Sequence, residues 1–423
     1  MNQGRLPNGL TRRGFGAAVA GATLAAGVSA RAASGKRRGP YLIGADITWV
    51  PEDEAAGATY FEDGARKDPL AILKGAGFNA IKLRTFVDPA NGYSKGKPGG
   101  PWGGVESTIA FARRVRAAGM HLSLTLHYSD NWADPQKQAK PAAWAALPFP
   151  RLVDAVHRHT DEVLAAMRAA GVAPDLVILG NETTFGMLWP DGRVPLTIPT
   201  GNPLTDKEHM SAPGAGGYDR FATLLEAGIA AARTQLPGVP VALHNHLGRH
   251  WEIVRHWTDS LVARGVRFDA LGFSCYQQAA QGDWARTFAE FSRRYPDLGF
   301  LALEYSSRKR YVNDLVHAHP NGWGSYIWEP TRHQEAIFRK DGASAGEGPR
   351  PDLLAQGLNA AEAPGAAPAP AQPAPRRRDH GGRYDADPEF LDLYRTMARD
   401  YGLTVPQRAA QPRQEIISGF AHA

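Results

Sequence analysis

The stretch RVRAAGMHLSLTLHYSDNWADP, residues 114–135, holds one structural unit in outline. Its first residues close an amphipathic segment, 106–118, whose spacing predicts a helix. Gly119 follows where a helix turns into the left-handed region, which a residue without a Cβ enters at little cost. Next comes His121–Tyr128, a short apolar run that reads as a buried strand. The run ends in a polar and aromatic loop. Working outward, the same unit recurs. The strand candidates are Tyr41–Thr48, Asn79–Val87, His121–Tyr128, Leu176–Gly180, Val241–His246, Ala270–Tyr276, Phe300–Glu304 and Gly324–Trp328. Helical patterns fall between them at 149–170, 218–235, 251–264 and 283–295, and Gly77, Gly171 and Gly265 repeat the stop signal. Alternating strand and helix predicts an α/β fold with a parallel sheet. Eight repeats predict a closed (β/α)8 barrel, a TIM barrel. No GxGxxG follows the first strand, which argues against a dinucleotide-binding sheet.

The chain has 423 residues, 43% apolar and 21% charged, enough to bury a large core. Three regions are expected. Residues 1–32 read as an export signal, 40–402 as a single catalytic barrel, and 403–423 as a tail. Within the barrel, residues from about 343 to 380 form a flexible Pro/Ala-rich insertion after strand eight. It contains APAPAQPAP (367–375) and Arg376-Arg377-Arg378, and a final helix is expected over 387–401. At the N-terminus, Arg12 and Arg13 precede a weakly apolar run, Gly16–Val28, and a small-x-small site, Ala30-Arg31-Ala32. That pattern predicts twin-arginine (Tat) export, with the Tat machinery as partner and a secreted or periplasmic location. The run is too short and too poor in Leu and Ile to span a bilayer, so no membrane insertion is expected after processing.

The formal charge is +6 and the pI about 9.3. Residues 1–32 hold four arginines and no acid, so the remainder carries only +2. No basic stripe interleaves with aromatics, and a nucleic-acid partner is not expected. The single cysteine, Cys275, excludes an intramolecular disulfide and a cysteine-based metal site.

In such barrels the chemistry lies at the C-terminal ends of the strands. Strand one leads to Asp46 and Trp49, and strand two carries Arg84. Strand three ends in His127, Asp130 and Trp132, strand four in Gly180-Asn181-Glu182. Strands five and six give His244, His246 and Tyr276. Strand seven ends in Leu303-Glu304-Tyr305 and strand eight in Trp328-Glu329-Pro330. Indole faces that stack on pyranoses, with polar groups around their hydroxyls and two carboxyls to cleave, make a sugar site. Blander readings exist. A Glu after a strand can simply begin a helix. Trp132, Trp189 and Trp328 can be core aromatics. His244 and His246 share a strand face and could hold a metal, but no further ligand set accompanies them. Neither metal nor cofactor is expected.

The residues Gly44-Ala45-Asp46, LHYSDNWADPQKQ with Pro141 and Trp144, Gly180-Asn181-Glu182 with Leu188-Trp189-Pro190, and Trp328-Glu329-Pro330 resemble glycoside hydrolase family 53, the arabinogalactan endo-β-1,4-galactanases. The resemblance runs from about Gly44 to Pro330. It implies Glu182 as general acid/base and Glu304 as nucleophile of a retaining enzyme acting on a polysaccharide or oligosaccharide. It implies Asn181 at the sugar 2-hydroxyl and Arg84 orienting Glu304. The chain departs from the family pattern at Cys275-Tyr276-Gln277-Gln278-Ala279, at Tyr305-Ser306-Ser307-Arg308-Lys309, and at His246, where members often place an acid. These departures bear on sugar specificity more than on cleavage. Two alternatives stay open at this level: a barrel that binds carbohydrate without cutting it, and a transglycosylase.

Overall fold

A computed structural model describes residues 35–37, 39–212, 216–276, 284–332, 336–340 and 380–406. The export signal, nearly all of the Pro/Ala-rich insertion, Gln277-Gln278-Ala279 and the tail from 407 onward lie outside the described residues.

All eight expected strands form, in the order of the chain: β1 (Leu42–Asp46), β2 (Ala80–Thr85), β3 (His121–Leu126), β4 (Leu176–Leu179), β5 (Val241–Asn245), β6 (Ala270–Ser274), β7 (Gly299–Tyr305) and β8 (Gly322–Trp328). They close into one parallel barrel in which β8 pairs with β1. A helix follows each strand: α1 (Pro69–Gly75), α2 (Val105–Ala117), α3 (Phe149–Ala169), α4 (Gly217–Gln235), α5 (Trp251–Val262), α6 (Trp284–Arg294), α7 (Lys309–His317) and α8 (Pro388–Asp400). Gly77, Gly119, Gly171 and Gly265 all take positive φ, from 66° to 94°, where helices stop. Asp387 caps α8 by accepting from the N–H groups of Glu389 and Phe390.

Strand alternation sorts the side chains into two cores. Ile43, Ile81, Leu83, Leu122, Leu124, Leu126, Val177 and Leu243 point outward and pack under the helices. Ala80, Leu176, Ile178, Ala242, Ala270, Leu301, Leu303 and Tyr326 fill the barrel interior. Gly44 leaves room there, because a Cβ on it would lie 2.3 Å from the Tyr326 ring. The same inward register, carried upward, delivers Asp46, Lys82, Arg84, His127 and His244 to the barrel mouth.

One strand departs from simple alternation. The pairing of β7 with β6 shifts between Phe273 and Ser274, and its pairing with β8 shifts between Ala302 and Tyr305. Leu301 and Leu303 face inward, Tyr305 faces outward toward Tyr394 and Asn313, and Glu304 sits between them. The irregularity turns Glu304 to the mouth although its neighbour Leu303 already faces the interior.

Several elements were not foreseen. Ala58–Glu62, Ala65–Arg66, Phe338–Lys340 and Gly382–Ala386 form a four-stranded sheet beside the barrel. Phe338–Lys340 and Gly382–Ala386 pair antiparallel, so the two ends of the insertion are held side by side. Arg332, after β8, pairs with Asp53 of the short helix Val50–Ala55 after β1, tying these two loops together. Past β4 the chain adds a small hairpin, Gly186–Met187 with Gly192–Arg193, and the helix Pro203–Met210.

Candidate active site

The centre of the mouth is a buried ion cluster. Arg84 has no solvent exposure and reaches four partners. Its Nε donates to Asp46 Oδ2 at 2.7 Å, Nη1 to Asn181 Oδ1 at 2.8 Å and Nη2 to Glu304 Oε1 at 2.5 Å. Nη1 also lies 3.1 Å from His127 Nε2. Lys82 Nζ lies 3.1 Å from Asp46 Oδ2 and 3.9 Å from Glu304 Oε1, and donates to the Leu303 carbonyl at 2.7 Å. Two cations therefore face two carboxylates, and their charges balance out of reach of water. Burial works against Arg84's charge, yet Asp46 and Glu304 hold it firmly protonated. Burial, with Arg84 alongside, lowers the Lys82 ammonium. The Tyr276 hydroxyl donates to Glu304 Oε2 at 3.1 Å, so both carboxylate oxygens of Glu304 are occupied.

Glu182 stands across from this cluster. Its backbone is left-handed, with φ of 49°, an uncommon state for a residue with a side chain. Its Oε1 lies 2.5 Å from Ser274 Oγ. Burial, then the negative charge of Glu304, push its carboxyl up to about 8. Ligand atoms of Glu182, His244 and Glu304 all lie within 4.8 Å of one another. That set could in principle hold a cation. His244, however, spends both ring nitrogens on Asn181 and Ser274, and Glu304 already has Arg84 and Tyr276.

The mouth has two flanks. On one, Trp49, Trp132 and Trp328 pack edge to face with centroids 4.5–5.7 Å apart, joined by Phe86 and Tyr93. The Arg84 guanidinium lies 4.2 Å from the Trp328 ring centroid. Trp132 and Trp328 keep partial exposure, as stacking platforms require. On the other flank, a cleft of about 340 Å³ opens beside Glu182. Asp134, Gln136, Asn202, His209, His246 and Tyr276 are among its walls.

The expected ligands sort by depth. Asp46, Arg84 and His244 are fully enclosed and support the site from beneath. His127 is 2% exposed, and its Nδ1 accepts from the Ala133 N–H at 3.2 Å. Asp130 is half-buried. Its carboxylate accepts from the Asp88 and Ala142 N–H groups and clamps the loops after β2 and β3. Trp189 donates its indole N–H to the Phe185 carbonyl under Arg193. Asn181 is held by Arg84 and donates to the Ala133 carbonyl at 2.9 Å. His246 and Tyr276 line the cleft. Burial lowers the His127 and His244 imidazoles well below their usual range and His246 to about 3, so all three are neutral hydrogen-bonding groups. Lys82 and Ser274 were missed. Both share inward register with named residues, Lys82 two before Arg84 and Ser274 two before Tyr276, and that spacing was the available signal.

The profile of glycosyl hydrolase family 53 matches residues 42–299, which include Glu182 and stop five residues short of Glu304. A Niallia circulans protein described only as "Uncharacterized protein in bgaB 5'region" is 36% identical over 237 residues, 56% of this chain and 59% of its own length. The arabinogalactan endo-beta-1,4-galactanase of Cellvibrio japonicus is 30% identical over 244 residues, 56% of this chain and 58% of its own. Among solved structures, the Ignisphaera aggregans GH53 catalytic domain superposes with a TM-score of 0.59 at 28% identity, covering 69% of this chain and 85% of that one. The match takes in seven of the eight barrel strands, at least in part, and one of the two facing carboxyls, and on that basis the chain belongs to glycosyl hydrolase family 53.

Proposed function

We propose that this glycoside hydrolase is a retaining, endo-acting β-1,4-galactanase in which Glu182 is the general acid/base and Glu304 the nucleophile. The observation that carries the reading is the closeness of the two carboxyls in opposed surroundings. Retaining glycosidases hold their carboxyls about 5–5.5 Å apart, inverting ones about 6.5–9.5 Å. Arg84 and Tyr276 bind the charged form of Glu304, ready to attack the anomeric carbon. Glu182, raised to about 8, keeps its proton for the leaving oxygen. Once the glycosyl–enzyme forms, Glu304 loses its charge, and Glu182 becomes acidic enough to serve as base toward water. The galactan preference rests on the Cellvibrio japonicus relative. A panel of defined β-glycans tests it, with β-1,4-galactan expected to be cut internally and the β-anomer formed first, as seen by NMR. Activity confined to another β-glycan would move the substrate assignment. An α-anomer as first product would remove the retaining mechanism.

The polysaccharide substrate fits an exported enzyme, and we read residues 1–32 as a twin-arginine signal. Changing Arg12 and Arg13 to Lys should trap the protein in the cytoplasm. Unimpaired export would assign another signal type. Among the described residues no helix is long and apolar enough to cross a membrane.

A further inference from the structure

A chain of hydrogen bonds links Arg84 to Glu182, and its direction can be read from its fixed end. Arg84 Nη1 donates to Asn181 Oδ1, and Asn181 Nδ2 donates to the Ala133 carbonyl. These two contacts settle which way the amide faces. Oδ1 is therefore the atom that meets His244 Nδ1, at 3.3 Å. An oxygen has no hydrogen to give, so the N–H must be on His244 Nδ1. His244 is wholly buried, and burial together with Lys82 and Arg84 keeps it neutral. A neutral imidazole has one N–H, so its Nε2 must accept. Nε2 faces Ser274 Oγ at 3.0 Å, and the serine hydroxyl is the donor there. Ser274 has then spent its only hydrogen. To an ionised Glu182 the Ser274 hydroxyl would donate across its 2.5 Å contact with Oε1; with that hydrogen committed to His244, the contact is closed instead by the carboxylic O–H of Glu182.

We propose that the chain Arg84–Asn181–His244–Ser274 fixes the proton on Glu182, with His244 and Ser274 as positioning residues for the general acid. The permanent charge of Arg84 sets one amide, the amide sets one imidazole tautomer, and the tautomer turns one hydroxyl away from Glu182. The proposal rests on the reading of Glu182 as general acid/base. When Glu182 passes its proton to the leaving oxygen, only Ser274 needs to rotate toward the new carboxylate. His244 Nε2 is then left without a donor, and that cost favours recapture of a proton from the attacking water. Among the described residues, the other charged groups acting on Glu182 are Glu304 and Asp134, which raise it, and Arg84, which lowers it. Tyr276 also lies close. None of them distinguishes the two hydroxyl orientations at Ser274.

The orientations have opposite consequences. A serine that donates to Glu182 stabilises the carboxylate, and its loss would raise the Glu182 pKa. A serine that accepts from Glu182 stabilises the acid, and its loss would lower it. Ser274→Ala removes one oxygen and leaves the strand intact. The Glu182 carboxyl is followed by carbon-13 NMR titration of the full protein, assigned by its absence in Glu182→Gln, so no substrate is needed. The expected result is a downward shift of about half a unit to one unit, the worth of one hydrogen bond. The same shift is expected for His244→Leu, with little added in the double variant. Nitrogen-15 spectra should show His244 of the unaltered protein protonated at Nδ1 and bare at Nε2. The alkaline limb of kcat/KM, where the general acid loses its proton, should move to lower pH by the same amount in Ser274→Ala. An upward or absent shift, or an Nε2–H tautomer, would overturn the proposal. If the NMR shifts hold while the alkaline limb stays in place, the proton relay is real and the acid/base assignment of Glu182 fails instead.

Discussion

Among the described residues, Glu304 is surrounded by charge, whereas Glu182 is hydrogen-bonded by a single hydroxyl. Glu304 takes a guanidinium and a phenol hydroxyl directly, with an ammonium 3.9 Å away. Among the described residues Glu182 is hydrogen-bonded by Ser274 alone, and it faces an open cleft. The two side chains are chemically the same, with carboxylate oxygens within 4.8 Å of each other. The difference shows how one barrel mouth can keep one carboxyl ionised and the other protonated at the same pH. It also explains why both cations lie on one side. The second carboxylate of the cluster, Asp46, completes the charge balance, and burial together with Glu304 outweighs the pull of Arg84 on the Glu182 proton.

The sharpest way to break this comparison is to delete each carboxyl. Glu304→Ala should lower kcat on galactan by about 10⁴–10⁶-fold, because no nucleophile remains. Glu182→Ala should lose about 10²–10⁴-fold on galactan and far less in the first step on an activated aryl glycoside. Azide should revive Glu182→Ala with a β-glycosyl azide and Glu304→Ala with the α-product. Equal losses on every substrate without rescue would mean the roles are not divided, and exchanged anomers would mean they are reversed.

Next in size is Arg84→Met. Asp46 and Glu304 would be left buried with only Lys82 between them, at a cost of about 3–5 kcal/mol in urea denaturation. Arg84→Lys should not rescue it, since one ammonium cannot reach four divergent partners. A loss under about 1 kcal/mol would show that the cluster does not depend on this residue.

A smaller effect tests the aromatic flank. Trp328→Ala or Trp132→Ala should raise KM about tenfold by removing a stacking face, with kcat little changed. An unchanged KM for both would place the sugar elsewhere.

The smallest effect is on stability. Glu182 titrates near 8 in the folded protein against a usual 4.5, so the folded state keeps a proton that the unfolded chain has lost. That contribution to stability is complete below about 4.5 and disappears as pH rises through about 8. Glu182→Gln lacks the titration. Its Tm relative to the unaltered protein should therefore climb between pH 5 and pH 8, by roughly a few degrees. Parallel curves would mean that Glu182 is not raised.

Much of this was legible in the chain because period and punctuation are local. Eight apolar runs and the glycines that stop the intervening helices pointed to the barrel, and inward register brought Asp46, Arg84, His127, His244 and Trp328 to one rim. The two backbone N–H groups that meet Asp130 were not legible, because a carboxylate in a rim loop looks the same in sequence whatever its partners. The four-stranded sheet was invisible because Ala58–Glu62 finds its partner at Gly382–Ala386, more than 300 residues later.

The sequence by itself determined the repeat, the residue types at the mouth and the two glutamates, since hydrophobic period and residue chemistry are properties of neighbours along the chain. Tertiary structure alone decided which groups share protons and charge. The β7 irregularity that turns Glu304 to the mouth, the gathering of Lys82, Asp46 and Arg84 beneath it, and the line from Asn181 through His244 and Ser274 to Glu182 all join residues from different strands. Hydrogen bonds and Coulomb forces act over a few ångströms of space, and only the closure of the barrel sets those distances.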